Sequence, residues 1–191
     1  MSTGESKRAI VAAMAANGGI AFAKFVAFAF TGSSSMLAEG VHSVADTGNQ
    51  ILLLIGGKKA GKAADAEHPF GFGRERYFWS FVVSIMLFSL GALFAVFEGT
   101  QKIFEPEHLE SAAWAIGTLL VAAVLEANSF RTAIRESRPL KGGSSWLQFI
   151  RKSKNPELPV VLLEDFGALI GLVLALAAIT LLEPMMIGNP Y

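Results

Sequence analysis

Five stretches of this chain are apolar nearly all round, and short polar or charged segments separate them. About 20 helical residues cross the hydrocarbon layer of a bilayer. The runs predict helices at about 9–30, 34–57, 78–101, 111–134 and 157–182. Local punctuation agrees with those bounds. The first run ends at Thr31-Gly32, and the second follows a serine turn and ends at Gly56-Gly57-Lys58-Lys59. Phe78-Trp79 opens the third as an aromatic anchor at headgroup level. Asn155-Pro156 gives the fifth a cap and a proline at the first helical position. A short interfacial helix is expected around Trp146 to Ile150. The fold class expected is therefore all-α, a polytopic transmembrane helix bundle over residues 1–191. A soluble bundle would need amphipathic faces, which these helices lack.

Charge placement orients the bundle. Of the 16 Lys and Arg, all but Lys24 and Lys102 fall at the N-terminus or in the second–third and fourth–fifth connections. The third–fourth connection carries Glu105, Glu107 and Glu110 instead. The positive-inside rule then expects a cytoplasmic N-terminus and Tyr191 outside. The apolar share of 52% sits close to that of a soluble domain, so distribution decides the class where composition does not. Zero net charge points to no nucleic-acid partner, and the absence of cysteine removes disulfides, thiolate metal sites and thiol nucleophiles. Met1 to Lys7 is polar, and the run after it has no small-residue cleavage pattern, so no cleaved signal peptide is read there.

Ionisable residues inside spans cost roughly 2.5–3.5 kcal/mol each, so each requires a reason. The second helix carries Glu39, His42 and Asp46 at i, i+3 and i+7, one stripe that Asn49 continues. With 1.5 Å of rise per residue, Asp46 lies roughly 18 Å from the outer end of its helix, near the midplane. A histidine and a carboxylate one turn apart can ligate one cation, and that donor pair suits Zn, Mn, Fe, Co or Ni better than Ca or Mg. The fifth helix adds the adjacent pair Glu164-Asp165, about 12 Å from its start. Adjacent helical residues point about 100° apart. Glu164 shares its stripe with Ala168, Gly171, Ala175 and Ala178, a small-residue face suited to close packing. Glu164 is thus the expected inward group, with Asp165 as a second ligand or its support. Lys24 can pair with a carboxylate, but it lies near enough to the outer end that snorkelling to the interface is the expectation. Glu98 and Lys102 are expected to form a surface pair; Glu126 and Asn128 face different directions, and packing is the expected role of each ahead of the alternative that one lines the cavity.

Against that background, Ser35-Met36-Leu37-Ala38-Glu39-Gly40-Val41-His42-Ser43-Val44-Ala45-Asp46 resembles the second-helix signature of the cation diffusion facilitator family. His68-Pro69-Phe70-Gly71-Phe72-Gly73-Arg74-Glu75-Arg76 resembles that family's loop before the third helix. Gly99-Thr100-Gln101-Lys102-Ile103-Phe104-Glu105-Pro106 resembles the end of its third helix. The resemblance implies dimeric transporters with six transmembrane helices and a cytoplasmic C-terminal domain, exporting zinc or a related divalent ion in exchange for protons. It carries His42 and Asp46 over as second-helix ligands. Three departures stand out. The fifth-helix pattern of the family is His-x-x-x-Asp, whereas Glu164 is followed one turn later by Ala168, and Asp165 by Leu169. A loop metal site with two histidines would have Phe72 at its second position. Gly188-Asn189-Pro190-Tyr191 resembles the approach to a sixth helix, so five spans of six are expected, with the C-terminal domain absent.

The expected function is transport, not enzymatic catalysis. The cargo is a divalent cation, Zn2+ first and Mn2+, Fe2+ or Co2+ behind it, with protons competing for the same imidazole and carboxylates. The expected setting is a bacterial inner (plasma) membrane, with a homodimer and the lipid bilayer as partners. A membrane module that binds metal or a partner without transport is the alternative, and a metal-dependent hydrolase lacks any motif for it.

Overall fold

The computed structural model describes residues 3–32, 34–104 and 112–187. The expected acidic connection and the last four residues lie outside them, as do the side chains of Glu98 and Lys102. All described regular structure is helical: α1 (Thr3–Thr31), α2 (Ser34–Ala60), α3 (Arg74–Met86), a π-helical segment (Leu87–Ala92), α4 (Leu93–Phe104), α5 (Ala112–Lys141), α6 (Trp146–Lys152) and α7 (Glu157–Ile187). Gly32 ends α1 in a left-handed conformation (φ 71°), and its N–H bonds to the Phe28 carbonyl at 2.7 Å. That is the glycine stop that lets a last carbonyl find a donor. Ser145 and Gln148 cap α6 reciprocally, which explains how so short a helix begins where it does.

Among the described residues, three helices are long and apolar enough to cross a membrane, namely Ser6–Phe30, Ala113–Lys141 and Glu157–Thr180. Two of the five expected spans do not meet that measure, for different reasons. In α2 the polar stripe of His42, Asp46, Asn49 and Gln50 lowers the hydropathy of an otherwise apolar helix. The third expected span begins earlier than its apolar run, at Arg74, and the π-helical segment divides it into two shorter helices.

Helix α1 packs along both α2 and α5, α5 packs against α7, and α3 leans on α2. Gly56 lets the last pair meet. A Cβ there would lie 2.5 Å from Trp79 Cβ, inside any real contact distance. The tightest core collects at the basic end of the bundle. Ile10, Leu53, Val83, Leu158, Val161 and Leu162 are buried together there, and α6 adds Phe149. Farther along α7, Val173 and Leu174 are each 64% exposed, an apolar outer surface suited to lipid. Hydroxyls within the helices bond to carbonyls one turn back, as at Ser43, Thr47, Ser84, Thr118 and Thr180.

A charged clasp joins α3 to the start of α7. Arg76 Nε lies 2.8 Å from Glu157 Oε1, and Glu157 is only 2% exposed. The same guanidinium donates to Asn155 Oδ1 at 2.7 Å, and Tyr77 donates to the Lys154 carbonyl at 3.0 Å. Removing one partner of a buried pair strands the other, at a cost of roughly 3–5 kcal/mol. Arg76→Ala should therefore lower the unfolding midpoint in detergent sharply, whereas Arg76→Met combined with Glu157→Leu should recover most of the loss. Thermal unfolding of the three proteins checks this, and a double variant as unstable as the single one would contradict it.

Candidate metal site

The polar stripe of α2 faces helices that bring further acids to similar depth. His42 Nε2 lies 3.7 Å from Asp46 Oδ2, the i, i+4 pair at the centre of the stripe. Above it, Glu39 is engaged. Lys24 Nζ of α1 approaches Glu39 Oε2 to 3.2 Å, so Lys24 does not snorkel outward. The reason is mutual need, since each charge would otherwise lie unpaired among apolar helices. That pairing counts against Glu39 as a ligand. Below the pair, Asn49 and Gln50 are both buried.

Helix α7 directs its two acids apart, as adjacent helical positions require. Glu164 reaches α2, where Gln50 Nε2 donates to Glu164 Oε2 at 2.6 Å. Asp165, 1% exposed, turns to α5 and accepts from Ser129 Oγ at 2.7 Å. Glu126 of α5 joins them. It is buried, and it shares the electrostatic field of Asp46, Asp165 and Lys24, while Asp46, Asp165 and Glu126 all act on Glu164. Packing was the role expected of Glu126, yet it stands among the acids. Neither Gln50, Ser129 nor Glu126 is marked by motif or spacing. The available signal was that each is a polar residue in an apolar helix.

Four carboxylates and one imidazole thus share one region of the bundle. Among the described residues, no three His, Asp or Glu side chains already converge on a single point that could hold a metal. Enclosing an ion would require side-chain rotations that bring the oxygen of Glu164 not held by Gln50, or Asp165 released from Ser129, to the His42–Asp46 pair. Such rotations are side-chain movements within a fixed backbone.

The loop before α3 is built differently. Asp65 Oδ1 accepts the His68 N–H at 2.7 Å and lies 3.1 Å from His68 Nδ1, while the imidazole stacks on Phe72 with ring centroids 4.2 Å apart. The His68 backbone N–H, with smaller help from its side chain, holds the exposed Asp65 carboxyl below the usual aspartate range. One histidine tied into its own turn is a poor metal ligand. His68→Ala should leave zinc affinity nearly unchanged in an equilibrium titration. A tenfold loss would mean that the loop does bind metal.

Fold and site together define a helical membrane protein that gathers acidic and imidazole side chains inside its bundle. The chain belongs to the cation efflux family: residues 10–188 match its cation efflux transmembrane domain, and members of this family are transporters rather than enzymes. It is similar to the mitochondrial proton-coupled zinc antiporter SLC30A9 of Xenopus laevis, 35% identical over 96% of this chain and 33% of that protein. The corresponding Homo sapiens protein is 34% identical over 96% of this chain and 32% of its own length. Metal tolerance protein C4 of Arabidopsis thaliana is 33% identical over 97% of this chain and 40% of its own. The chain therefore spans about a third of the length of the first two relatives. Relatives described as mitochondrial give no support to the expected bacterial inner membrane.

Proposed function

We propose that this chain forms the membrane part of a proton-coupled divalent cation transporter whose principal cargo is zinc. Manganese, iron or cobalt are further cargoes suited to a carboxylate-rich site. The reading assigns His42 and Asp46 of α2 and Glu164 and Asp165 of α7 to the ion, with Asn49 in support. The observation that carries it is the placement of Glu164 against α2, just below the His42–Asp46 pair. Proton coupling follows from the donor set. Imidazole and carboxylates bind metal only when deprotonated, so protons and metal exclude each other at the same atoms. One imidazole with two carboxylates also neutralises a divalent ion where leftover charge is expensive. Names of relatives that specify zinc and proton antiport support the same cargo and coupling.

The proposal includes five crossings, with α2 and the α3–α4 unit spanning alongside the three more apolar helices, and a homodimer as the working unit. Asp46→Ala should abolish zinc binding by the full-length chain in detergent, and Glu164→Ala should weaken it more than Asp165→Ala. Affinity should fall as pH is lowered, because added protons occupy the ligands. If Asp46→Ala and the Glu164/Asp165 double alanine bind zinc like the parent, there is no shared site. Zinc flux into proteoliposomes under an imposed proton gradient then tests transport itself.

Orientation is separately testable. Basic residues gathered at one end place the 138–156 connection on the side of the N-terminus. A cysteine introduced there should resist a membrane-impermeant thiol reagent applied from the opposite face. Efficient labelling from that face would reverse the topology.

A further inference from the structure

Gln50 is fully buried, at 0% exposure, one turn below Asp46 on α2. Its amide Nε2 donates to Glu164 Oε2 at 2.6 Å, a direct bond from α2 to α7. The rest of the arrangement is unfinished. Gln50 Oε1 and Glu164 Oε1 are both buried without a hydrogen-bond partner, and so is Asn49 Oδ1 nearby on the same helix. With Glu164 ionised, as metal binding requires, these atoms are all acceptors and cannot satisfy one another. Only a donor or a cation can relieve them, and leaving each unmade costs about 1–3 kcal/mol.

We infer that Gln50 positions Glu164 for the transported cation, fixing one carboxylate oxygen by a neutral amide and leaving the other free to bind. The inference rests on Glu164 being a cargo ligand. The neutrality of the donor is the essential feature. A cationic partner would hold Glu164 equally well but would cancel the charge that attracts the cargo. The bundle contains that contrast: Glu39 is held by the Lys24 ammonium and its charge is already balanced. Glu164 is held by an amide that brings no opposing charge. Gln50 also ties α7 to α2, the two helices that supply the proposed ligands, so Glu164 stays on the His42–Asp46 side instead of joining Asp165 toward α5.

The test uses zinc titration of the full-length chain in detergent, with thermal unfolding measured alongside. Gln50→Met keeps the volume and removes the amide, and should weaken zinc binding by roughly tenfold or more, the loss of one hydrogen bond to a charged group. Gln50→Lys keeps a donor to Glu164 but supplies a charge. It should bind zinc more weakly still while unfolding at a temperature equal to or above that of Gln50→Met. That inversion of the two orders is what a merely structural glutamine would not produce. Parent-like affinity in Gln50→Lys, or affinity that simply follows stability across the variants, would overturn the inference. Should Gln50→Met fail to fold, Gln50→Lys decides alone, with parent-like zinc binding against the inference and weakened binding for it. Glu164→Ala serves as the control. If it binds zinc like the parent, the assignment of Glu164 as a ligand has failed, and if only the Gln50 variants bind normally, the positioning role alone has.

Discussion

Within a bilayer a charge cannot be solvated by water, so every ionisable side chain in these helices must be met by another group of the protein. This constraint accounts for how the interior is arranged. Lys24 meets Glu39, Ser129 meets Asp165, Gln50 meets Glu164 and Arg76 meets Glu157. Each contact joins two different helices. Polar side chains, not only apolar packing, therefore set which helices are neighbours and at what depth. Apolar packing does its main work at the basic end, where α6 and the start of α7 close over Leu53 and Val83.

The four contacts differ in what they do to charge. The lysine and arginine pairs are balanced and have a structural outcome. The serine and glutamine contacts orient a carboxylate without balancing it. Acidic side chains are consequently gathered around Glu164, with Asp46 on α2, Glu126 on α5 and Asp165 beside it on α7. A cluster of carboxyl groups held by neutral partners is suited to a protein that receives a cation. It also gives protons a place to bind whenever the cation is absent.

Much of this was readable from the chain itself. Helical class followed from apolar runs, and the His42–Asp46 pair from a spacing that puts both on one face. The family followed from three ordered motifs in the first hundred or so residues. What could not be read was anything depending on which helix faces which. Lys24 looked like an interfacial lysine because its partner, Glu39, is on another helix and separated by a turn. Gln50 and Ser129 carry no charge and so drew no attention, though each holds a carboxylate. Glu126 sits alone in its own helix and becomes one of a group only after α5 docks on α7. The break after Met86 was hidden for another reason, since a π turn leaves no mark in an unbroken apolar run.

That π segment, Leu87–Ala92, gives the third expected span an unusual property. A π turn holds about one residue more than an α turn, and each residue turns a helix by about 100°. Each residue of α4 therefore faces about that angle away from where its number would put it in an unbroken α-helix. Elsewhere in the bundle, losing one residue from a helix would throw all later side chains out of register with their neighbours. Here the loss of one residue can be absorbed by restoring an ordinary α turn, which leaves the side chains of α4 facing as before while α3 stays fixed by Arg76 and Trp79. For this helix, length and facing direction are separable quantities, so a residue can be gained or lost at the π segment without changing the side of α4 that meets lipid or disturbing the anchored end.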